Sequence, residues 1–286
     1  MNPSQIQQMY AESCRALSTG GFAAFYQAQL ASFQKYCPNF NLNAFRAQTN
    51  RAVCPLQSVQ NLMAYNICYA ADHYARFEHL LTEVGSFSTQ VLRPPVRLCV
   101  FDYGCGQGLA TLALLSHLQD RHVELIINLI EPSALALDAA ECYVKALADR
   151  MQGQVVVHSH QKGLDQLPDD IFIMPEGFSA VHLFSNVLDM AHHKTFDLSC
   201  LTQRLNQIQG KHLCLAVSPK FYSGKLGFAQ LKSFFKPSKM FIDREDWRVT
   251  ARGYRFTERG MVLREVEGQY MAFIRCVTSS HHVQVA

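Results

Sequence analysis

The stretch "FDYGCGQGLATLALL", residues 101–115, sets three glycines at alternating positions between one apolar run and another. It is either a cradle for a nucleotide-like cofactor or a tight turn between a strand and a helix. Asp102 stands two residues before Gly104, and Gly106 and Gly108 follow. Glycine lets a backbone approach a ligand with no Cβ in the way. A helix beginning near Leu109 would aim its free N–H groups and positive end at the same place. A dinucleotide fingerprint reads G-x-G-x-x-G. Here the spacing is D-x-G-x-G-x-G, and Leu109 falls where the third glycine of that fingerprint would stand.

Working outward, the chain after Val96 alternates short β-like runs with helical ones. "VRLCVFDYG", "VELIINLIEPS", "GQVVVHSH", "AVHLFSN" and "KHLCLAVSP" read as strands. "LATLALLSHLQD", "ALALDAAECYVKALADRM", "FDLSCLTQRLNQI" and "LGFAQLKSFFK" read as helices. Apolar strands alternating with helices imply βαβ units and a mostly parallel sheet covered on both faces. The end of the chain, with "WRVTARGYRFT", "MVLREV" and "QYMAFIRCV", reads as antiparallel strands. Before Val96 the pattern is helical: residues 4–37 with a break at Gly20–Gly21, a polar loop over 37–56, then a second helical run over 58–84. Pro94–Pro95 closes the linker that follows, because proline cannot continue a helix.

In a sheet of this kind, ligands bind at the carboxyl ends of the strands, where the strand order reverses. "LIEPS" puts Glu131 at the end of the second strand, where a carboxylate can accept hydrogen bonds from both hydroxyls of a ribose. The glycine spacing with this acid resembles the first motifs of class I S-adenosylmethionine-dependent methyltransferases. The ordered set "AYNICYAADHYARFEHLL", "FDYGCGQGLAT", "LIEPSALAL", "HLFSNVLDM" and "LAVSP" further resembles a family of largely uncharacterised bacterial methyltransferase-like proteins, over roughly residues 60–235. It is also similar in layout to small-ribosomal-subunit methyltransferase-like proteins. Those carry a C-terminal cysteine cluster, where this chain has only Cys276. The resemblance implies a Rossmann-like class I methyltransferase fold with a seven-stranded sheet. It implies S-adenosylmethionine as cofactor, with Asp102, Gly104, Gly106, Gly108, Glu131 and Pro132 around it and Ser133 in the turn beside the adenine.

Further candidates are less specific. Tyr65, Tyr69 and His73 recur at helical spacing on one face, with Tyr74 beside them. The tyrosines either bind the cofactor's carboxylate, with His73 toward the substrate, or are core residues with satisfied hydroxyls. Ser185 and Asn186 fall at the end of the fourth strand, where Ser185 would touch the cofactor and either could face the transferred methyl. Asn offers both a donor and an acceptor there. Asp189 suits a base or a helix cap, and Asp165 sits loosely near the adenine position. Ser185, Asn186 and His73 are thus the catalytic candidates. No Pro-Pro-aromatic or Pro-Cys motif of base methylation follows the fourth strand. His158, His160 and the His192–His193 pair lack the spacing of a metal site, so none is expected.

Composition narrows the setting. Forty-nine per cent of the 286 residues are hydrophobic, enough for a sizeable core. The ten cysteines include no C-x-x-C pair and read as thiols of a reducing cytoplasm. No apolar run reaches the roughly 20 residues of a membrane span, and no signal-peptide pattern opens the chain. The charge balance is +3 over residues 1–98, −6 over 99–218 and +6 over 219–286. The basic end admits RNA as a partner if Arg248, Arg252 and Arg255 lie beside the pocket mouth. The expectation is therefore a helical extension over 1–93 and a methyltransferase-like domain over 94–286, acting on RNA, protein or a small molecule. A non-catalytic protein of the same fold and a nicotinamide-dependent oxidoreductase are the alternatives.

Overall fold

The computed structural model describes residues 1–49, 54–85, 96–192 and 196–278. Its centre is a seven-stranded sheet: β1 Val96–Tyr103, β2 His122–Ile130, β3 Gln152–His160, β4 Ser179–Ser185, β5 Gly210–Pro219, β6 Lys239–Arg255 and β7 Gly260–Val277, in the spatial order β3-β2-β1-β4-β5-β7-β6. β1 to β5 pair in parallel, and β7 runs antiparallel between β5 and β6. The order reverses between β1 and β4. This is the mostly parallel, Rossmann-like sheet of the class I methyltransferase fold, with helices on both faces.

The alternation of the central strands explains the two layers of core. Leu98 and Val100 of β1 and Leu213, Leu215 and Val217 of β5 point to one side. Cys99, Phe101 and Tyr103 of β1 and Cys214 and Ala216 of β5 point to the other. A strand buried on both faces is apolar at nearly every central position, which is why Leu98–Phe101 and Leu213–Val217 read as unbroken runs. The first side is covered by α1 Pro3–Tyr36, α3 Val59–Tyr65, α4 Ala71–Gly85, α5 Leu109–Leu118 and α6 Ala134–Ala148; α8 Leu198–Leu205 and α9 Tyr222–Phe234 cover the second.

The helical extension is bound into the first layer. α1 bends at Gly21, whose backbone is non-helical (φ 65°, ψ −160°). Beyond the bend, Phe25 packs edge-on against Tyr143 of α6 at 4.9 Å, and Gln29 donates to the Tyr143 hydroxyl at 2.8 Å. The Tyr26 hydroxyl donates to the Ile67 carbonyl at 2.7 Å and accepts from the Tyr254 N–H at 3.0 Å, tying α1 to β6. The extension's end at residue 93 and Pro94–Pro95 lie outside the described residues, as does His193. No helix among the described residues is long and apolar enough to cross a membrane.

Three expectations need correction. The loop over 37–56 contains a short helix, α2 Leu42–Gln48, capped by the Asn41 side chain on the N–H groups of Asn43 and Ala44. The C-terminal segments belong to two long strands: β7 joins "MVLREV" to "QYMAFIRCV" through Gly268, and β6 begins at Lys239 rather than Trp247. Pairing along a long partner overrides the weak propensity of charged and glycine positions. Tyr74 stands apart from Tyr65 and Tyr69 and stacks on Phe22 at 3.8 Å.

The second layer holds a buried chain of polar groups. His212 Nε2–H donates to the Ile208 carbonyl at 2.8 Å, which leaves His212 Nδ1 to accept from His182 Nε2–H at 2.9 Å. His182 Nδ1 therefore accepts from the Tyr103 hydroxyl at 3.0 Å. Each tautomer is set by the next, and both rings are neutral: burial lowers His212 to about 4 and His182 well below its ordinary value. Tyr103→Phe would orphan a buried acceptor and is expected to cost about 1–3 kcal/mol in urea unfolding. Because both folded values lie below the unfolded one, the unfolded chain takes up more protons in acid. The histidines' contribution is thus full above about pH 6.5 and is lost as pH falls through that value toward the folded values.

Candidate functional site

The glycine loop joins β1 to α5, and all three glycines adopt positive φ: 61° at Gly104, 53° at Gly106 and 77° at Gly108. They serve different ends. A Cβ at Gly108 would meet Val144 Cγ2 at 3.1 Å and Ala140 Cβ at 3.3 Å, so this glycine lets the loop seat on α6. A Cβ at Gly104 would meet Val187 Cγ2 at 3.0 Å, the side chain that follows β4. At Gly106 nothing lies within 4 Å: this position faces open space.

Two carboxylates shape the loop from behind. Asp102 is fully buried and accepts from the Thr111 hydroxyl at 2.7 Å, fastening β1 to the first turn of α5. Burial pushes Asp102 up to about 7, against the pull of the Thr111 hydroxyl and N–H. Glu131 accepts from the Gly106 N–H at 3.0 Å through Oε2 and from the Ser133 N–H at 2.9 Å through Oε1. Burial raises Glu131 also, and the same two N–H groups oppose it. Each oxygen of Glu131 keeps a second lone pair for a ligand.

These residues frame a cavity of about 420 Å³ at the carboxyl ends of β1, β2 and β4, at the reversal of strand order. Gly104, Gly106, Glu131, Pro132, Tyr65, Ser185 and Asn186 line it, joined by Cys54, Pro55, Leu56, Gln107, Leu164, Val187, Met190 and Phe196. Asp102 and Gly108 support the loop from outside the lining. Asp165 is turned away from this cavity: its carboxylate accepts from the Asp197 N–H at 2.7 Å, and Gly163 and Leu164 take the lining position. Two ties close the wall on the α3 side. Gln107 donates to the Leu62 carbonyl at 3.0 Å, and the Ser133 hydroxyl donates to the Leu56 carbonyl at 2.7 Å. Gln107 sat within the quoted stretch. Cys54, Pro55 and Leu56 carry no motif, and no local signal could have assigned them.

A second cavity of about 450 Å³ adjoins the first. Tyr65, Asn186 and Met190 line both. Tyr69, expected beside the cofactor, lines only this second cavity, as does His73. A π-helical turn, Asn66–Ala70, lies between α3 and α4 and keeps the three rings together. Tyr65 and Tyr69 lie 5.2 Å apart between ring centroids, and His73 Nδ1 is 3.4 Å from the Tyr65 hydroxyl. Burial lowers His73 to about 3, leaving a neutral ring. Asn186 has φ 58°, uncommon for a non-glycine residue. Its N–H donates to the Val217 carbonyl at 2.8 Å and its Nδ2 to the Ser185 hydroxyl at 3.0 Å, while its buried Oδ1 has no partner among the described residues. Asp189 lies inside α7 Leu188–His192, in its first turn, and lines the second cavity.

The remaining candidates lie elsewhere. Arg248 pairs with Glu267 at 2.7 Å and Arg255 with Glu258 at 3.9 Å. Arg252 lines a separate groove with Phe22 and Tyr26. None of the three lines either cavity at the strand ends. His160 Nε2 is 3.1 Å from Asn128 Oδ1, in the sheet.

No protein-family model matches the chain, and no curated protein does. Solved structures do. One from Listeria monocytogenes, described as a class I S-adenosylmethionine-dependent methyltransferase, is 14% identical over 96% of this chain and 87% of its own, with a TM-score of 0.42. The CMeT domain of the citrinin polyketide synthase is 12% identical over 87% of this chain and 69% of its own, with a TM-score of 0.45. A SAM-dependent methyltransferase from Aquifex aeolicus is 13% identical over 70% of this chain and 93% of its own, with a TM-score of 0.38.

The glycines' separate roles predict different costs. Gly106→Ala adds only left-handed strain and is expected to destabilise the fold by roughly 1–2 kcal/mol in urea unfolding. Gly108→Ala adds a clash with α6 to the same strain and should cost roughly 1–3 kcal/mol more.

Proposed function

We propose that the chain binds S-adenosylmethionine in the first cavity and methylates a molecule seated in the second. The observation that carries this reading is the shared wall of Tyr65, Asn186 and Met190 between two cavities at the strand ends. The residues present suit the cofactor. Gly106 leaves open a cradle that any larger side chain would enter, and Glu131 keeps one lone pair on each oxygen for the ribose hydroxyls. The cavity is of ordinary ligand size. When bound, the cofactor supplies a methyl on a positively charged sulfur, transferred as the acceptor–carbon bond forms and the carbon–sulfur bond breaks, its electron pair remaining on sulfur.

The chain's part is mainly positional. Holding donor and acceptor in line can lower such a barrier by roughly 7–11 kcal/mol. Asn186 stands at the junction, held by its N–H on Val217 and its amide on Ser185, so its orphan Oδ1 can accept from the acceptor group without changing charge. His73 is neutral at ordinary pH, but its lowered value makes it a weak proton acceptor. That fits a ring that orients the acceptor beside Tyr65 better than one that removes its proton. Arg248, Arg252 and Arg255 stand away from both cavities, which supports a small acceptor over RNA.

Calorimetric titration with S-adenosylmethionine, S-adenosylhomocysteine and NAD tests the reading. Micromolar binding of the first two is expected, abolished by Gly106→Arg, which fills the cradle, and weakened about tenfold or more by Glu131→Gln. Binding of NAD alone would make the protein a nicotinamide enzyme, and binding of none would leave a non-catalytic protein of this fold.

A further inference from the structure

The second cavity carries a feature that methyl transfer by itself does not require. Arg76, on α4, is only 6% exposed and lines this cavity and not the first. Its Nε–H donates to the Glu267 carbonyl at 3.1 Å, and its guanidinium is paired with no carboxylate among the described residues. Its side chain passes over Gly268 of β7, where a Cβ would come within 2.9 Å of Arg76 Cδ. The absence of a side chain there is what lets the arginine reach the strand ends. A buried guanidinium is costly unless an anion compensates it. Asp72, in the same lining, compensates it only in part: its charge favours the Arg76 cation, but Arg264 Nη2 holds its Oδ1 at 2.6 Å, so two arginines share this one carboxylate. Arg46 stands exposed on the lining, with Asp189 as the other acid. Counting Arg264, which holds Asp72, three arginines therefore stand against two carboxylates around about 450 Å³. The rest of the wall is largely aromatic or apolar: Tyr65, Tyr69, Met190 and the half-exposed Phe221.

Resting on the function proposed above, we infer that the methyl acceptor is a small anion, a carboxylate or phosphate on an aromatic or apolar body. Arg76 binds its charge and the tyrosines flank its body. The planar guanidinium fork matches either oxyanion with two parallel hydrogen bonds. A cavity of this size, with a buried arginine in its lining, fits a small molecule rather than a nucleic-acid strand.

The test uses full-length protein saturated with S-adenosylhomocysteine. It is titrated with 4-hydroxybenzoate, phenyl phosphate and, as the uncharged control, 4-hydroxybenzamide. At least one anion is expected to bind and the amide not, with Arg76→Gln weakening the anion about tenfold or more while S-adenosylhomocysteine binds as before. A preference for carboxylate or phosphate identifies the charged group. Saturation with S-adenosylhomocysteine but no binding of either anion overturns the inference, as does anion binding that Arg76→Gln leaves unchanged. Arg76→Gln weakening S-adenosylhomocysteine itself, with no anion site, would assign the arginine to the cofactor and also overturn it. Arg76-dependent binding of single-stranded RNA in place of the small anions would do the same. If S-adenosylhomocysteine fails to bind while an anion binds through Arg76, the anion site stands and the methyltransferase reading falls. Should Arg76→Gln not fold, Arg76→Lys decides: unchanged anion affinity in that variant overturns the proposal.

Discussion

The site depends on the hydrogen bond from the Gly106 N–H to Glu131. It joins the loop after β1 to the end of β2, so the two halves of the first cavity are held in register by one carboxylate. The same carboxylate accepts from Ser133 N–H, whose hydroxyl in turn accepts from the N–H of Ala136 and donates to the Leu56 carbonyl. A single acid at a strand end thus orders the glycine loop, the start of α6 and the segment before α3. Asp102 completes the arrangement from inside the fold, where its bond to Thr111 fixes the direction in which α5 leaves the sheet.

The second half of the site is built by segments that precede the sheet in the chain. α3 and the π-helical turn bring Tyr65 and Tyr69 to the strand ends, and the first turns of α4 follow them with His73 and Arg76, the whole fastened by Gln107 to Leu62 and by Tyr26 to Ile67. The π-helical turn widens the helix where Tyr65, Tyr69 and His73 emerge, and such turns are frequent at functional sites. The wall between the two cavities consequently comes from both parts of the molecule: Tyr65 from the helices, Asn186 and Met190 from the region after β4. Neither part alone encloses both cavities. The positive φ of Asn186 belongs to the same design, since it turns the chain at the end of β4 so that the amide faces the junction.

Much of this was legible in the sequence. The largely apolar runs of β1, β4 and β5 identified strands covered on both faces, and the glycine spacing with Glu131 located the loop and the strand end that meet. These are local signals, because burial on both faces and left-handed backbone each restrict the residue types at their own positions. The errors came where neighbours decide. α2 rests on an Asn cap inside a polar stretch, and β6 and β7 extend through charged and glycine positions because each has the other to pair with. Tyr74 followed the stripe in sequence but turned to Phe22 in the fold.

The sequence by itself determined the parallel sheet, the glycine cradle and the acid beside it, since each follows from periodicity or from a backbone conformation that few residues tolerate. Only the tertiary structure decided which distant side chains share a space. Arg76 illustrates the difference. In the sequence it is one basic residue of an amphipathic helix. In the fold it crosses a glycine 192 positions away and stands buried, with no ion pair of its own among the described residues. Its charge acquires meaning from the Asp72–Arg264 pair beside it. No local pattern encodes that environment, because burial and charge compensation depend on contacts between segments far apart in the chain.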